Sequence, residues 1–168
     1  MQKNIKMKIR STRYEMKEFL FAELASELSE ELEIDIPEDV LGEVAEGEKI
    51  EIATDGTFTY GDGRIELAYD ETELTGMEGS TTAISFSEKA PELITMVREG
   101  TVSTALVFEP NKRHHCVYKT PYMPFEVCVR TLKVDNKLES ENKLFIDYII
   151  EIRGAKAERT KFELTYFE

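Results

Sequence analysis

The sequence predicts an all-β protein: a closed antiparallel barrel of about eight to ten strands, interrupted by an acidic helical insertion after the first strand. Three observations predict it. Apolar and polar residues alternate at period two along most of the chain. Short turn-forming clusters separate the alternating runs, which favours antiparallel neighbours. No helices alternate with the runs, which excludes a doubly wound α/β sheet. Closure into a barrel removes exposed edges, and a two-sheet sandwich is the alternative.

Taken in order, Ile5, Met7 and Ile9 alternate with Lys6, Lys8 and Arg10 and form the first strand. The period then changes. Leu20, Leu24, Leu28 and Leu32 recur every four residues, with Glu23, Glu27, Glu30 and Glu31 opposite, which predicts an amphipathic helix from about Glu15 to Glu33. Pro37 stops it, and Pro37-Glu-Asp reads as the first turn of a short second helix through about Val44. Gly47 resets the chain before Ile50. Phe58 and Tyr60 resume the period of two, and Gly61-Asp62-Gly63 reads as a hairpin tip because Gly and Asp tolerate positive φ. Strands follow at Ile65–Tyr69, Thr82–Phe86, Ile94–Arg98 and Val102–Phe108, with Glu99-Gly100 and Pro110-Asn111 as reversals. Phe125–Val129, Leu144–Ile152 and Phe162–Tyr166 complete the series. The chain reads as one domain over residues 1–168, with the insertion at about 15–47.

The charge is as uneven as the periodicity. The formal net charge is −13. From Glu15 to Glu51 there are fourteen acids and two bases, leaving twenty acids and nineteen bases elsewhere. A nearly neutral body therefore carries one acidic segment, which is a solvated helix face or a docking surface for a basic protein partner. That balance argues against nucleic-acid binding. No run approaches the length of a membrane-spanning helix, and Met1–Arg10 lacks the apolar stretch of a signal peptide, so a cytoplasmic protein with no membrane association is expected. Two cysteines, Cys116 and Cys128, make no disulfide scaffold.

Three stretches carry a resemblance. They are Leu67-Ala-Tyr-Asp-Glu71 followed by Leu74-Thr-Gly-Met-Glu-Gly-Ser-Thr-Thr82, then Val97-Arg-Glu-Gly100, then Tyr118-Lys-Thr-Pro-Tyr122 ahead of the strand reaching Thr131. In order and spacing they resemble the YwiB-like family of bacterial proteins, a domain of unknown function with a calycin-like β-barrel. The match runs from Ile50 to Glu168 with the first strand at Ile5–Arg13. Met123 and Pro124 stand where the family usually has a Gly, and the acidic insertion lies outside its common pattern. The resemblance implies a fold similar to lipocalins and fatty-acid-binding proteins, and it implies no chemistry.

Candidate sites follow from strand phase. Arg98 continues the face of Ile94 and Met96, so it is expected inside the barrel near its mouth, clamping an anionic head group or pairing with Glu71 or Asp147. Slippage at the turn would instead send it to water. Tyr69, Tyr118 and Tyr148 share apolar faces and are expected to ring a cavity or sit as satisfied core hydroxyls. Thr131 continues the Phe125–Val129 face as a further lining candidate. Thr120-Pro-Tyr-Met-Pro124 and Gly76–Gly79 read as rim loops, the latter without phosphate-loop spacing. His114-His-Cys116 falls short of a zinc ligand set. Asp70, Glu71 and Glu73 read by default as a solvated strand end.

The expected function is a non-enzymatic binder of a small, partly apolar molecule, neutral or anionic. It is lined by Arg98, Tyr118, Tyr69, Tyr148 and Thr131, with no catalytic residue, metal or cofactor. An interaction module built on the acidic insertion is the alternative, and an enzyme of unrecognised type is a third possibility.

Overall fold

Ten antiparallel strands follow one another around the molecule in a computed structural model that describes residues 1–16, 48–75, 77–152 and 156–168. They are β1 (Gln2–Met16), β2 (Glu48–Gly61), β3 (Arg64–Asp70), β4 (Ser80–Ser87), β5 (Ala90–Gly100), β6 (Thr104–Phe108), β7 (Arg113–Lys119), β8 (Pro124–Lys137), β9 (Lys143–Ile152) and β10 (Lys156–Phe167). Each strand pairs with the next, except that β6 and β7 stand at the two ends of the sheet, and β1 pairs with β10. A double hydrogen bond between Ser103 and Lys119, at 2.9 and 2.8 Å, brings those two ends together. The result is an up-and-down, nearly closed barrel, as the alternation predicted. The two helices expected between about Glu15 and Val44 lie outside the described residues, apart from Glu15 and Met16, which extend β1.

The turn chemistry explains the reversals. Asp62 and Gly63 both take positive φ, of 53° and 73°, as a primed two-residue hairpin turn requires. Asn111 takes φ 65° after Pro110, which has no N–H to continue β6. Asn142, at φ 59°, ends a single helical turn, Leu138–Glu141.

Inward positions fill the barrel. Met7, Leu67, Ile84, Ile94, Met96, Leu106, Phe108, Val129, Leu144, Ile146 and Leu164 are all buried in one cluster. The two ends differ. At the end holding the β2–β3 and β8–β9 turns, Leu138 inserts as an apolar plug, with Tyr166 against Phe58 nearby. At the opposite end the inward residues turn polar: Glu71, Ser80, Thr82, Thr104 and Thr160 are buried there.

Candidate functional site

Strand pairing assembles the polar end. Arg98 on β5 faces Thr82 on β4 on one side and Thr104 on β6 on the other. Thr82 in turn faces Tyr69 on β3. Glu71 follows β3 directly, and its N–H donates to the Ser80 carbonyl at 2.8 Å, which holds the residue inward. Thr82 Oγ1 donates to Glu71 Oε1 at 2.5 Å and accepts from Arg98 Nε at 3.3 Å. Arg98 Nε lies 3.5 Å from Glu71 Oε1, with the two side chains 10% and 1% exposed. The pair is not a bidentate fork. Arg98 Nη2 reaches only the Met96 sulfur at 3.4 Å, and Nη1 has no hydrogen-bond partner among the described residues. Glu71 Oε2 is fully buried and makes no hydrogen bond, although the Tyr69 hydroxyl interacts with the carboxylate. Thr104 Oγ1 is buried with only the weakly bonding Cys116 thiol beside it.

The surroundings set the protonation states. Burial works to lower the Arg98 pKa, but the Tyr148, Tyr69 and Tyr118 side chains, which are phenolates at the alkaline pH where an arginine titrates, and the Glu71 carboxylate outweigh it, so the guanidinium titrates above its ordinary range. Burial, then the Glu71 charge, pushes Tyr69 up. Burial does the same to Tyr148 and to the Cys116 thiol. These groups stay protonated at neutral pH.

Two loops cover the cluster. Met77 is buried, and the Tyr118 hydroxyl lies 3.7 Å from its sulfur. The Ser80 hydroxyl accepts from the Val102 N–H at 2.9 Å, fastening the β3–β4 loop to the β5–β6 turn. That approach requires Gly100: its φ is 135°, and a Cβ there would lie 2.3 Å from the Gly79 carbonyl oxygen.

The profile of one protein family, a domain of unknown function termed DUF1934, matches residues 34–164. The chain belongs to that family. Its barrel is similar to the crystal structure of the ywiB protein from Bacillus subtilis, with a TM-score of 0.63 at 14% identity over 99% of this chain and 96% of that one. At that identity the likeness concerns the fold. No curated protein matches the chain.

Within this DUF1934 barrel, Arg98, Tyr69, Tyr118 and Tyr148 lie close enough to interact electrostatically. Arg98 takes the Glu71 pairing rather than Asp147, which is held by Arg159 at 2.7 Å. Thr131 sits across from Tyr148, but its hydroxyl accepts from the Glu109 N–H at 3.2 Å. Its backbone also pairs with Asn111 and Lys112, so Thr131 fastens the β6–β7 turn to β8. Glu71 departs from the solvated strand end read from its neighbours, of which Asp70 and Glu73 are indeed exposed. Cys116 and Cys128 stand one register step apart, because Cys116 faces Val127 and Cys128 faces His115. His114 bonds Glu109 at 3.0 Å, and among the described residues no three metal-ligating side chains gather. Thr82, Thr104 and Met77 are site residues that sequence reasoning did not single out. The signal for the two threonines was a polar residue in phase with a buried face.

Two grooves lie on the outer faces of the sheet. One of about 670 Å³ runs past Lys6, Asp55, Gly56 and Asp70. Another of about 420 Å³ runs past Arg10, Lys143 and Glu163. Both are flanked by ordinary solvated charges.

Proposed function

We propose that this barrel binds a small, partly apolar molecule whose polar end docks against Arg98. One observation carries the reading: a nearly buried guanidinium, at the polar end of a barrel whose core is apolar, uses little of its hydrogen-bonding capacity on the protein. Arginine has five N–H donors, and a buried one left short of acceptors is unfavourable unless something else supplies them. Met77, Met96 and Val102 offer apolar, adaptable contacts beside it. Side chains fill the barrel between the cluster and Leu138, so the ligand is short rather than a long acyl chain. The raised tyrosines and thiol stay protonated, in keeping with binding rather than acid–base chemistry.

Native mass spectrometry of the purified protein tests this. The expected result is a mass above the 19.3 kDa chain that is lost on denaturation and is absent from Arg98→Met. A bare-chain mass, together with no fluorescence response on titrating an uncharged apolar dye such as Nile red, would overturn it. The second reading, a basic protein partner docking on the acidic segment from Glu15 to Glu51, rests on its charge. Deleting residues 15–47 should then remove a partner from a pull-down in native lysate, and an unchanged set of partners would dispose of it.

A further inference from the structure

We infer that the head group received by the Arg98 cluster is uncharged and carries an acceptor and a donor side by side, as a primary carboxamide does. The inference rests on the binding reading above and specifies its ligand. Charge comes first. Arg98 already has its counter-charge in Glu71, 3.5 Å away. A carboxylate entering beside them would set two negative charges against one positive in a site with little water to screen them. An ammonium would meet the reverse imbalance.

Hydrogen-bond polarity narrows the choice. The free Nη1 and Nη2 hydrogens of Arg98 can only donate, so the arriving group must offer an acceptor. Glu71 Oε2 can only accept while ionised, and it is buried and makes no hydrogen bond, so the group must also offer a donor. The ion pair joins the two groups through Arg98 Nε and Glu71 Oε1, 3.5 Å apart, so one small head group can span both. A carboxamide oxygen facing Arg98 with its N–H facing Oε2 would satisfy both. The second amide hydrogen would then be available to the Thr104 hydroxyl, buried on the strand next to Arg98. An ordered water molecule is the competing occupant.

The test uses pentanamide, pentanoate and pentylamine, which share one chain and differ in head group. Each is titrated into the full-length protein while the Arg98 Nε–Hε resonance is followed by NMR. Pentanamide should shift that resonance and bind about tenfold or more tighter than the other two. Glu71→Gln, which keeps the shape but removes the counter-charge, should reverse the order in favour of pentanoate. Pentanoate or pentylamine binding as well as the amide to the native protein would overturn the head-group assignment and leave the binding reading standing. No shift of the Arg98 resonance with any of the three would leave water as the occupant and overturn both.

Discussion

The barrel is closed in two different ways on its opposite sides. Around β1 the ladder is continuous: its pairing with β10 runs unbroken from Lys6↔Phe167 to Met16↔Ala157, and with β2 from Gln2↔Thr59 to Arg13↔Glu48. Between β6 and β7 a single bridge, Ser103↔Lys119, spans the gap among the described residues. Backbone polarity alternates along a strand, so with Ser103 and Lys119 bonded to each other, the amides of Ala105, Val107, His115 and Val117 also point into this seam. At its lower end Thr131 takes the Glu109 amide on its hydroxyl. The inward residues of β7, namely His114, Cys116 and Tyr118, are only partly buried, whereas Ile5, Met7 and Ile9 on β1 are fully buried. A barrel thus needs long, paired strands only around part of its circumference. Where β6 is five residues long, a side-chain clasp and one bridge complete the ring.

The sharpest way to break that comparison is amide hydrogen exchange. Unpaired amides open at almost no free-energy cost, whereas core ladder amides wait for global unfolding. Val107, His115 and Val117 should therefore exchange about a thousandfold or more faster than Met7, Ile9 and Leu164. Equal protection on the two sides would mean that the seam is a paired ladder in solution.

The next largest effect concerns the polar cluster beside the seam. Arg98→Met leaves Glu71, 1% exposed, without its partner. Stranding a buried charge costs about 3–5 kcal/mol, whereas removing both charges costs far less. Arg98→Met with Glu71→Gln should therefore recover most of the loss in urea unfolding. Additive losses from the two changes would show that the pair is not coupled.

That cluster also marks the limit of what one sequence discloses. Strand phase placed Tyr69, Arg98 and Tyr148 inside, because alternation is a local property that survives any register. The Gly61-Asp-Gly63 turn was legible for the same reason. Glu71 was legible only in part: the phase of Arg98 offered it, with Asp147, as a partner, but its own acidic stretch reads as a solvated strand end, and only Arg98, 27 residues later, gives it cause to be buried. The phase of Thr131 marks it as a lining candidate, but its bond to the Glu109 N–H depends on the register shift between Thr131 and Lys133 and on where the β6–β7 turn falls against it, which no local pattern discloses. The helical turn at Leu138 had no periodic signal, because four residues are too few to carry one.

The continuous side can be strained directly. Gly56 on β2 lies between Ile5 on β1 and Tyr69 on β3, and a Cβ there would stand 2.5 Å from the Met7 sulfur and 2.7 Å from the Ala68 carbonyl oxygen. Met7 is flexible, but the carbonyl belongs to the ladder. Gly56→Ala should lower stability by about 1–3 kcal/mol in urea unfolding. Val117→Ala in the exposed part of the seam should stay within about 0.5 kcal/mol. A neutral Gly56→Ala would mean that the tight side relaxes as readily as the seam.

The smallest effect appears in alkali and tests how dry the interior is beside the seam. Tyr69 and Tyr148 are buried, and both have pKa values raised by desolvation, with the Glu71 charge adding to the effect at Tyr69. Below about pH 10, the ordinary value for a tyrosine, folded and unfolded chains both keep these protons and stability does not depend on them. Above it the unfolded chain releases them while the folded barrel holds them. Stability then falls as pH rises, by about 1.4 kcal/mol per pH unit for each tyrosine until its folded pKa is reached. Ultraviolet titration at the phenolate band should show Tyr69 and Tyr148, with the buried Tyr166, ionising later than the other four of the seven tyrosines, and the first two only as the barrel unfolds. Tyr148 is the informative one, because its ring packs 4.6 Å from Phe108 on β6. If its phenolate forms while the barrel is still folded, water has reached the interior past β6, and the seam is an opening rather than a closed clasp.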